Sequence, residues 1–385
     1  MPGYVPSSGS APRLDLVRTE LPALTSVRAL LAWWVVAFHV LPVAPFGFNR
    51  RAPLLSKGML AVDCFFLLSG FILCHVHPRI LDAPRRAPVA DFLVSRLARI
   101  YPLHAAMLAA FGANVVAYRL LRSHGHAFAD DTLPALLRQV LLVHGWLPSN
   151  DFRSWNVPSW SISSEWAAYL LAPLIFFAIT RASRHALLLL LALGGGLAVW
   201  LLETGRMGHA DLKIPRVVLE FTLGATMRAL VPFVLPFLLR IRNPGLVVGW
   251  LACAVAAASP HPGLLLLGMS WVLLLLSLRS ERTTGRLARL ERVTIYLGET
   301  SFAVYMCHAL VLMLWSGHQP RFLAHAPAAE LVVAALTLML VIQLLASLLH
   351  HTVERPAQRW IRQRFRHWRE PRGAEVVEGR AVTAA

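Results

Sequence analysis

The stretch LTSVRALLAWWVVAFHV, residues 24–40, is an apolar segment with an arginine near its start and a histidine near its end. Arg28 and His39 are eleven residues apart, and eleven steps of about 100° return to within about 20° of the starting face of a helix. Since a helix rises about 1.5 Å per residue, His39 is expected to lie about 16 Å deeper than Arg28. The pattern predicts an apolar helix with one polar stripe that runs from its mouth to about the middle of a membrane.

The composition of the whole chain is that of a membrane protein. Of the 385 residues, 57% are hydrophobic and 15% are charged, whereas about 25% of residues are charged in ordinary globular proteins. Most of its apolar runs approach the roughly 20 residues that cross a bilayer. The candidate spans are 27–44, 58–76, 100–119, 133–147, 160–180, 186–203, 214–231, 245–258, 262–278, 294–316 and 328–349. The predicted fold class is therefore all-α, a polytopic membrane helix bundle.

The arginines between the spans predict how the chain is oriented. The net charge of +17 comes almost wholly from arginine, in a positive-inside pattern that reports orientation rather than a nucleic-acid partner. The segments 77–99 and 279–292 and the tail from Arg355 are expected on the cytoplasmic side. Because seven candidate spans, an odd number, lie between the first two segments, one of them must fail to cross. The weakest is 133–147, which we predict to be re-entrant or interfacial, leaving about ten crossings and both termini in the cytoplasm.

The two ends of the chain are polar. The tail before residue 21 lacks a small-residue cleavage site, so no signal peptide is predicted. We expect a polar tail over 1–23, one membrane domain over 24–360 and a basic cytoplasmic tail over 361–385.

The cysteines have no paired spacing, so neither a disulfide framework nor a zinc site is predicted. They are Cys64, Cys74, Cys253 and Cys307.

Polar side chains inside the apolar runs need a reason, because each costs a few kcal/mol on insertion scales. In NVPSWSISSEWAAYLLAP, residues 156–173, Ser161, Glu165 and Tyr169 follow at i, i+4 and i+8 and share one helix face. A carboxylate there pairs with a cation or takes up a proton. The alternative is a structural ion pair that closes the helix bundle.

Two further stretches repeat this combination of polar groups on one face. In SFAVYMCHALVL, residues 301–312, Tyr305 and His308 follow Ser301 at i+4 and i+7. In SRLARIYP, residues 95–102, Arg96 and Arg99 lie at i and i+3, a good clamp for phosphate or carboxylate. The alternatives are membrane anchoring for the arginines and satisfied packing for the histidine.

Six blocks in order resemble the membrane acyltransferase family 3, bacterial enzymes that O-acylate sugars of envelope polysaccharides, peptidoglycan or lipids, and sometimes macrolide antibiotics. Arg28 and His39 resemble its arginine, ten residues, histidine motif. The other blocks are AVDCFFLLSGFIL, the paired arginines before IYP, VPSWSISSEWAAYLLAPL, SFAVYMCH and VERPAQR. The likeness covers about residues 24–360. Ala61 and His104 depart from the family pattern, and the second of these would tune the donor entrance.

The resemblance implies an integral-membrane O-acyltransferase of the bacterial inner membrane. It would move an acyl group, most simply acetyl, from acyl-CoA to a hydroxyl of a carbohydrate or glycoconjugate acceptor. Acyl-CoA would be a co-substrate, with no tightly bound cofactor, no metal and no nucleic-acid partner. His39 would be the general base, because neutral imidazole is suited to that role near pH 7.

The same resemblance suggests roles for the other polar residues. Glu165 would orient His39 or hold the acceptor, and His308 is the reserve candidate for the base. The expected donor-binding residues are Arg28, Arg96 and Arg99. The expected site-lining residues are Asp63, Ser161, Tyr169, Tyr305 and His308.

Two other classes of protein also contain apolar spans of this kind. A proton-coupled transporter or flippase of a polar or lipid-linked substrate would use the same carboxylate and histidines, but the two matching halves with broken spans typical of carriers are not evident here. A structural scaffold would explain the apolar spans and not the aligned arginine, histidine and glutamate. Release of thiol from acetyl-CoA with a sugar acceptor separates the enzyme from the carrier.

Overall fold

The computed structural model describes residues 21–40, 53–77, 86–121, 131–146, 154–206, 212–279, 285, 287–318 and 326–369. Within these ranges every regular element is helical, as the apolar periodicity predicts. Most of the predicted N-terminal tail and residues 370–385 of the predicted C-terminal tail lie outside the described residues.

Thirteen α-helices make up this part of the chain. In order they are α1 Pro22–Val40, α2 Pro53–Ser56, α3 Leu60–Val76, α4 Arg86–Leu121, α5 Leu133–Val140, α6 Trp160–Arg181, α7 Arg184–Glu203, α8 Lys213–Ala258, α9 Pro262–Ser277, α10 Leu287–Glu299, α11 Ser301–His318, α12 Ala328–Leu349 and α13 Arg355–Arg369. A 3-10 turn, Val157–Ser159, precedes α6, and a π-helical turn, His350–Glu354, joins α12 to α13.

Six of the described helices are long and apolar enough to cross a membrane, and the bent pair α10–α11 makes a seventh if it is one span. The two helices of that pair meet at an angle of 58°. Two further apolar helices, α3 and α9, are shorter, at 17 and 16 residues. The structure thus supports a membrane protein with six or seven candidate spans, and the predicted count of about ten is not confirmed.

Part of the difference lies in α8. The sequence pattern separates two spans, 214–231 and 245–258, whereas the structure joins both in one uninterrupted helix of 46 residues. Three prolines lie inside this helix, Pro232, Pro236 and Pro244. Proline is tolerated in membrane helices because neighbouring groups satisfy the backbone acceptors that it leaves open. Hydropathy therefore marks the less apolar middle of α8 without showing whether the chain turns there.

In the segment predicted not to cross, 133–147, the described residues as far as 146 form one helix, the eight-residue α5. Thr132 caps its N-terminus by accepting a hydrogen bond from the Ala135 amide at 3.4 Å. Eight residues of helix rise about 12 Å, far less than the roughly 30 Å of a bilayer core. Turns follow the helix as far as residue 146.

The centre of the bundle is the contact between α3 and α8. Gly70 and Gly224 face the partner backbone, and a Cβ at either position would collide with the carbonyl of Phe221 or Leu67. Small residues allow two membrane helices to approach this closely. Around this pair, α6, α7 and α9 also pack on α8, while α1 packs on α10 and α11.

An ionic cluster ties the same two helices together. The Arg216 Nε donates a hydrogen bond to Asp63 Oδ1 at 2.7 Å, and it also lies 3.6 Å from Glu220 Oε1. Both carboxylates are completely buried and Arg216 is 7% exposed. The guanidinium thus bridges α3 and α8 inside the apolar core, where an unpaired charge would be costly.

Candidate active site

Two adjoining cavities open among the polar residues that the sequence singles out. The first, which we term the arginine cavity, has a volume of about 170 Å³. Arg28 of α1 and Arg96 and Arg99 of α4 all line it. Three half-buried guanidiniums on two helices thus converge on one small space, a geometry suited to a ligand with several negative charges.

A hydrogen-bonded chain on α6 forms another wall of the arginine cavity. The Tyr169 hydroxyl donates to Glu165 Oε1 at 2.5 Å and lies 3.2 Å from Ser69 Oγ. Glu165 also acts electrostatically on Arg28. The i, i+4, i+8 spacing on α6 therefore places one carboxylate beside the arginines, where its charge offsets part of theirs.

Arg99 has a further partner from the C-terminal part of the chain. It forms a salt bridge with Glu354, which is buried and lies in the π-helical turn. Glu354 in turn accepts a hydrogen bond from His350 Nδ1 at 3.0 Å. The Arg99 guanidinium also sits over the Phe302 ring, 5.4 Å from its centroid. These contacts fix the direction in which Arg99 points.

The second cavity, which we term the histidine cavity, has a volume of about 350 Å³ and is lined by His39 and His308. The two rings lie 5.0 Å apart between centroids. His39 Nδ1 lies 2.8 Å from the Val35 carbonyl oxygen, and His308 Nδ1 lies 2.5 Å from that of Tyr305. Because a carbonyl only accepts, each Nδ1 carries a proton, and Nε2 is the basic nitrogen of each neutral ring.

The two histidines differ in access. His308 is 2% exposed, whereas His39 is only partly buried. A general base must reach the proton that it abstracts. Of the two histidines, His39 is therefore the more exposed, which favours it as the base.

Tyr305 and Val62 line both cavities and thus stand where the two meet. The Tyr305 hydroxyl donates to the Pro158 carbonyl at 2.9 Å and lies 2.8 Å from Ser161 Oγ. These bonds tie α11 to the turn before α6. We term this junction the neck.

The structure brings most of the expected residues to the cavities, with two differences. Glu165 and His39 line different cavities, so the Val35 carbonyl, and not a carboxylate, orients the imidazole. Asp63, expected to line the site, is buried against Arg216 and is absent from the described walls of both cavities. Both differences have the same cause. The spacing of residues along one helix shows which of them share a face, but it does not show which neighbouring helix or cavity that face contacts.

His104 lies in a buried polar network beneath α5, not in the described wall of the arginine cavity. Its Nε2 lies 2.9 Å from the Gln139 carbonyl, and Asn156 Nδ2 lies 3.3 Å from its Nδ1. Ser159 Oγ lies 2.8 Å from Gln139 Oε1 and 3.0 Å from His144 Nε2. This network holds the turn that bonds to Tyr305, so its role toward the cavities is one of support.

Sequence reasoning misses several charged groups around the site. Glu354 lies within VERPAQR, a block that carries the resemblance without indicating a role for this carboxylate. Arg216 and Glu220 are ionisable residues four apart inside a predicted span. That spacing is a usable signal, because charges inside an apolar run need partners.

Comparison with known proteins identifies relatives over nearly the whole chain. A family model described as an acyltransferase domain matches residues 21–350. Acyltransferase MdmB of Streptomyces mycarofaciens is 30% identical over 395 residues, covering 90% of this chain and 93% of that protein. Protein 2 in picA locus of Rhizobium radiobacter is 36% identical over 98 residues, 26% of this chain and 47% of that protein. No solved structure gives a significant match.

Proposed function

Since the chain belongs to the acyltransferase family whose domain model matches it, and is therefore an acyltransferase, we propose that it transfers an acyl group, most simply acetyl, from acyl-CoA to a hydroxyl of a carbohydrate or glycoconjugate. The observation that carries this proposal is the pairing of the two cavities. One holds three guanidiniums and the other two imidazoles, and they meet at Tyr305.

The arginine cavity suits the donor. Coenzyme A carries a pyrophosphate, and Arg28, Arg96 and Arg99 offer the planar forks that bind phosphate oxygens. Its pantetheine arm is long and flexible and would pass the neck at Tyr305. The thioester would then lie in the histidine cavity.

The chemistry proposed for the histidine cavity needs one group that first accepts a proton and later returns it. His39 Nε2 takes the proton of the acceptor hydroxyl as its oxygen attacks the thioester carbonyl carbon. The tetrahedral intermediate collapses with cleavage of the carbon–sulfur bond, and the thiolate leaves. The imidazolium returns its proton to that sulfur, so the products are the O-acyl ester and CoA with a free thiol.

In this proposal, Glu165 positions an arginine of the arginine cavity. Its carboxylate would hold Arg28 in line with Arg96 and Arg99, since it acts on Arg28 and is itself fixed by Tyr169. This replaces the expectation that it orients His39, which no contact in the described structure supports.

The orientation in the membrane follows from the donor. Acyl-CoA is a cytoplasmic metabolite, so the arginine cavity would face the cytoplasm, in agreement with the positive-inside pattern. We assign the protein to the bacterial inner membrane on these grounds.

The test is a transfer assay with the purified enzyme in lipid nanodiscs. Acetyl-CoA labelled in its acetyl group is offered with a panel of glycosides and glycoconjugates, and both free thiol and labelled ester are measured. The proposal expects equimolar thiol and ester that depend on the acceptor. Net movement of a glycoside across sealed vesicles, without ester or thiol, would instead establish a carrier.

A further inference from the structure

The helix α13 follows the π-helical turn and packs against α4, the helix that carries Arg96 and Arg99. It lies beyond residue 350, where the match to the acyltransferase domain ends. Its sequence, RPAQRWIRQRFRHWR, is strongly basic and amphipathic. One face of this helix therefore lies beside the arginine cavity, although the matched family model ends before it.

Arg362 is one of the arginines of α13, the helix that packs against α4. It is partly buried, whereas Arg359, Arg364 and Arg366 on the same helix are exposed. Its Nε is buried and has no hydrogen-bond partner among the described residues. Arg362 also acts electrostatically on Arg96 and Arg99. A further guanidinium thus acts on the arginine cluster from a helix that begins after the matched domain ends.

The position of His77 at the end of α3 indicates the depth at which Arg362 lies. It directly follows the last residue of α3 and packs edge-on against the Phe92 ring, 5.1 Å between centroids. Burial, Arg96 and Arg362 lower the pKa of the His77 imidazole to about 4. Arg362 is therefore near the level where α3 ends, on the side of the arginine cavity away from the neck.

The charges in this region do not balance. Four guanidiniums, those of Arg28, Arg96, Arg99 and Arg362, converge here. Among the described residues, Glu165 and Glu299 act on Arg28, and Glu354 pairs with Arg99. Glu299 is also bonded to a fifth guanidinium, that of Arg355, so five guanidiniums face three carboxylates. Two positive charges are left in excess, and crowding like charges in a partly buried site is costly unless an anion joins them. The excess is sufficient for a ligand with at least two negative charges.

We propose that Arg362 binds the phosphate of the acyl donor that lies farthest from the thioester, the 3′-phosphate of its ribose. Three arginines line the cavity and Arg362 lies just beyond them, while the reacting carbonyl belongs at the neck and the histidines. A donor threaded through the neck places its nucleotide end at α13. This inference rests on the proposed use of acyl-CoA and extends it to a residue outside the matched domain.

A lipid headgroup shares the phosphate chemistry and is the other source of an anion at this depth. Trp360 and Trp368 of α13 are 66% and 80% exposed, as expected of a helix that lies in a membrane interface. The experiment therefore separates soluble phosphate from lipid phosphate.

The test measures equilibrium binding of CoA and of 3′-dephospho-CoA to the full-length enzyme in phosphatidylcholine nanodiscs. Arg362→Ala is compared with the unaltered protein and with Arg364→Ala, which removes an exposed arginine two residues away. We expect Arg362→Ala to raise the Kd of CoA about tenfold or more, the loss typical of a charge-assisted bond, and Arg364→Ala to leave it within about twofold. The Kd of 3′-dephospho-CoA should not respond to Arg362→Ala.

Other results would overturn the inference in distinguishable ways. Unchanged CoA binding by Arg362→Ala, or an equal loss for both ligands, rules out a contact with the 3′-phosphate. A deficit that arises only when phosphatidylglycerol is included assigns Arg362 to a lipid. Failure of the unaltered protein to bind either ligand would overturn the proposed donor as well. Arg362→Gln serves in place of alanine if that variant does not fold.

Discussion

At the scale of single residues, the proposed mechanism depends on which nitrogen of each histidine carries the proton. The Val35 carbonyl holds Nδ1–H of His39 and leaves Nε2 as the basic nitrogen, which we propose is the general base. Replacement of His39 by Ala or Gln should lower turnover about 10²–10⁴-fold, because neither side chain accepts a proton at neutral pH. The measurement is ester formation at matched protein level, with CoA binding as the control. An active Gln variant would move the base to His308.

The arginines of α4 should act on the donor and not on the chemistry. Arg96→Ala should raise the KM for acyl-CoA about tenfold or more and leave the KM for the acceptor nearly unchanged. Arg96→Lys should restore part of the loss, since it keeps the charge and not the fork. If donor saturation of the Ala variant matches that of the unaltered enzyme, Arg96 is only a membrane anchor.

Arg96 is a cleaner probe than Arg99, which pairs with the buried Glu354. Arg99→Ala would remove a proposed ligand of the donor and would also leave the buried Glu354 with His350 as its remaining described partner. That second effect is a cost in stability. Steady-state kinetics of Arg99 variants therefore needs a parallel measurement of thermal unfolding.

At the scale of helices, the contact between α3 and α8 depends on buried charge. Breaking a buried ion pair typically costs about 3–5 kcal/mol. Arg216→Ala should therefore lower the thermal unfolding temperature of the enzyme in detergent, and Asp63→Ala should do so in a similar way. Arg240→Ala, an exposed arginine on the same helix α8, provides the matched control. Equal unfolding temperatures for Arg216→Ala and Arg240→Ala would contradict a structural role for the cluster.

The sequence predicts helices better than it predicts where they break. Apolar periodicity places α6, α7 and α12 to within two residues because each is a long apolar run with clear ends. It finds α4 but not its polar first part, since the helix begins at Arg86 and the predicted span at residue 100. It divides α8 at its prolines and arginines, because a polar stretch inside a helix and a loop have similar composition. It also misses the 58° bend between α10 and α11, which falls at Thr300, because the single glycine nearby, Gly298, does not by itself indicate a break.

For the site, the spacing of residues along a helix predicts which side chains share a face of that helix. It does not predict which other helix this face contacts. Arg28 and His39 share a face of α1, and the structure places them at two cavities that meet. Glu165 and Asp63 are polar residues of the same kind in sequence, yet one faces the arginines and the other Arg216. The partners in each case lie on other helices, far away along the chain, and periodicity within one helix does not connect them.

At the scale of the whole molecule, orientation in the membrane can be read from two exposed positions. Leu133 at the start of α5 is 66% exposed, and Gln363 on α13 is exposed. The native cysteines are all buried, so a cysteine introduced at either position is the reactive one. A membrane-impermeant thiol reagent should label Leu133→Cys in intact spheroplasts and Gln363→Cys only after permeabilisation. Labelling of both without permeabilisation would contradict a cytoplasmic arginine cavity.

In the proposed mechanism the two cavities have different functions: the arginine cavity binds the donor, and the histidine cavity is where the acyl group is transferred. The most direct test measures, in one nanodisc preparation, the Kd of acetyl-CoA and the single-turnover rate of acetyl transfer for the unaltered enzyme, Arg96→Ala and His39→Gln. Arg96→Ala should bind acetyl-CoA at least about tenfold more weakly and transfer at a normal rate once saturated. His39→Gln should bind normally and transfer at least about a hundredfold more slowly. Loss of the same parameter in both variants, or normal transfer by His39→Gln, would contradict the account.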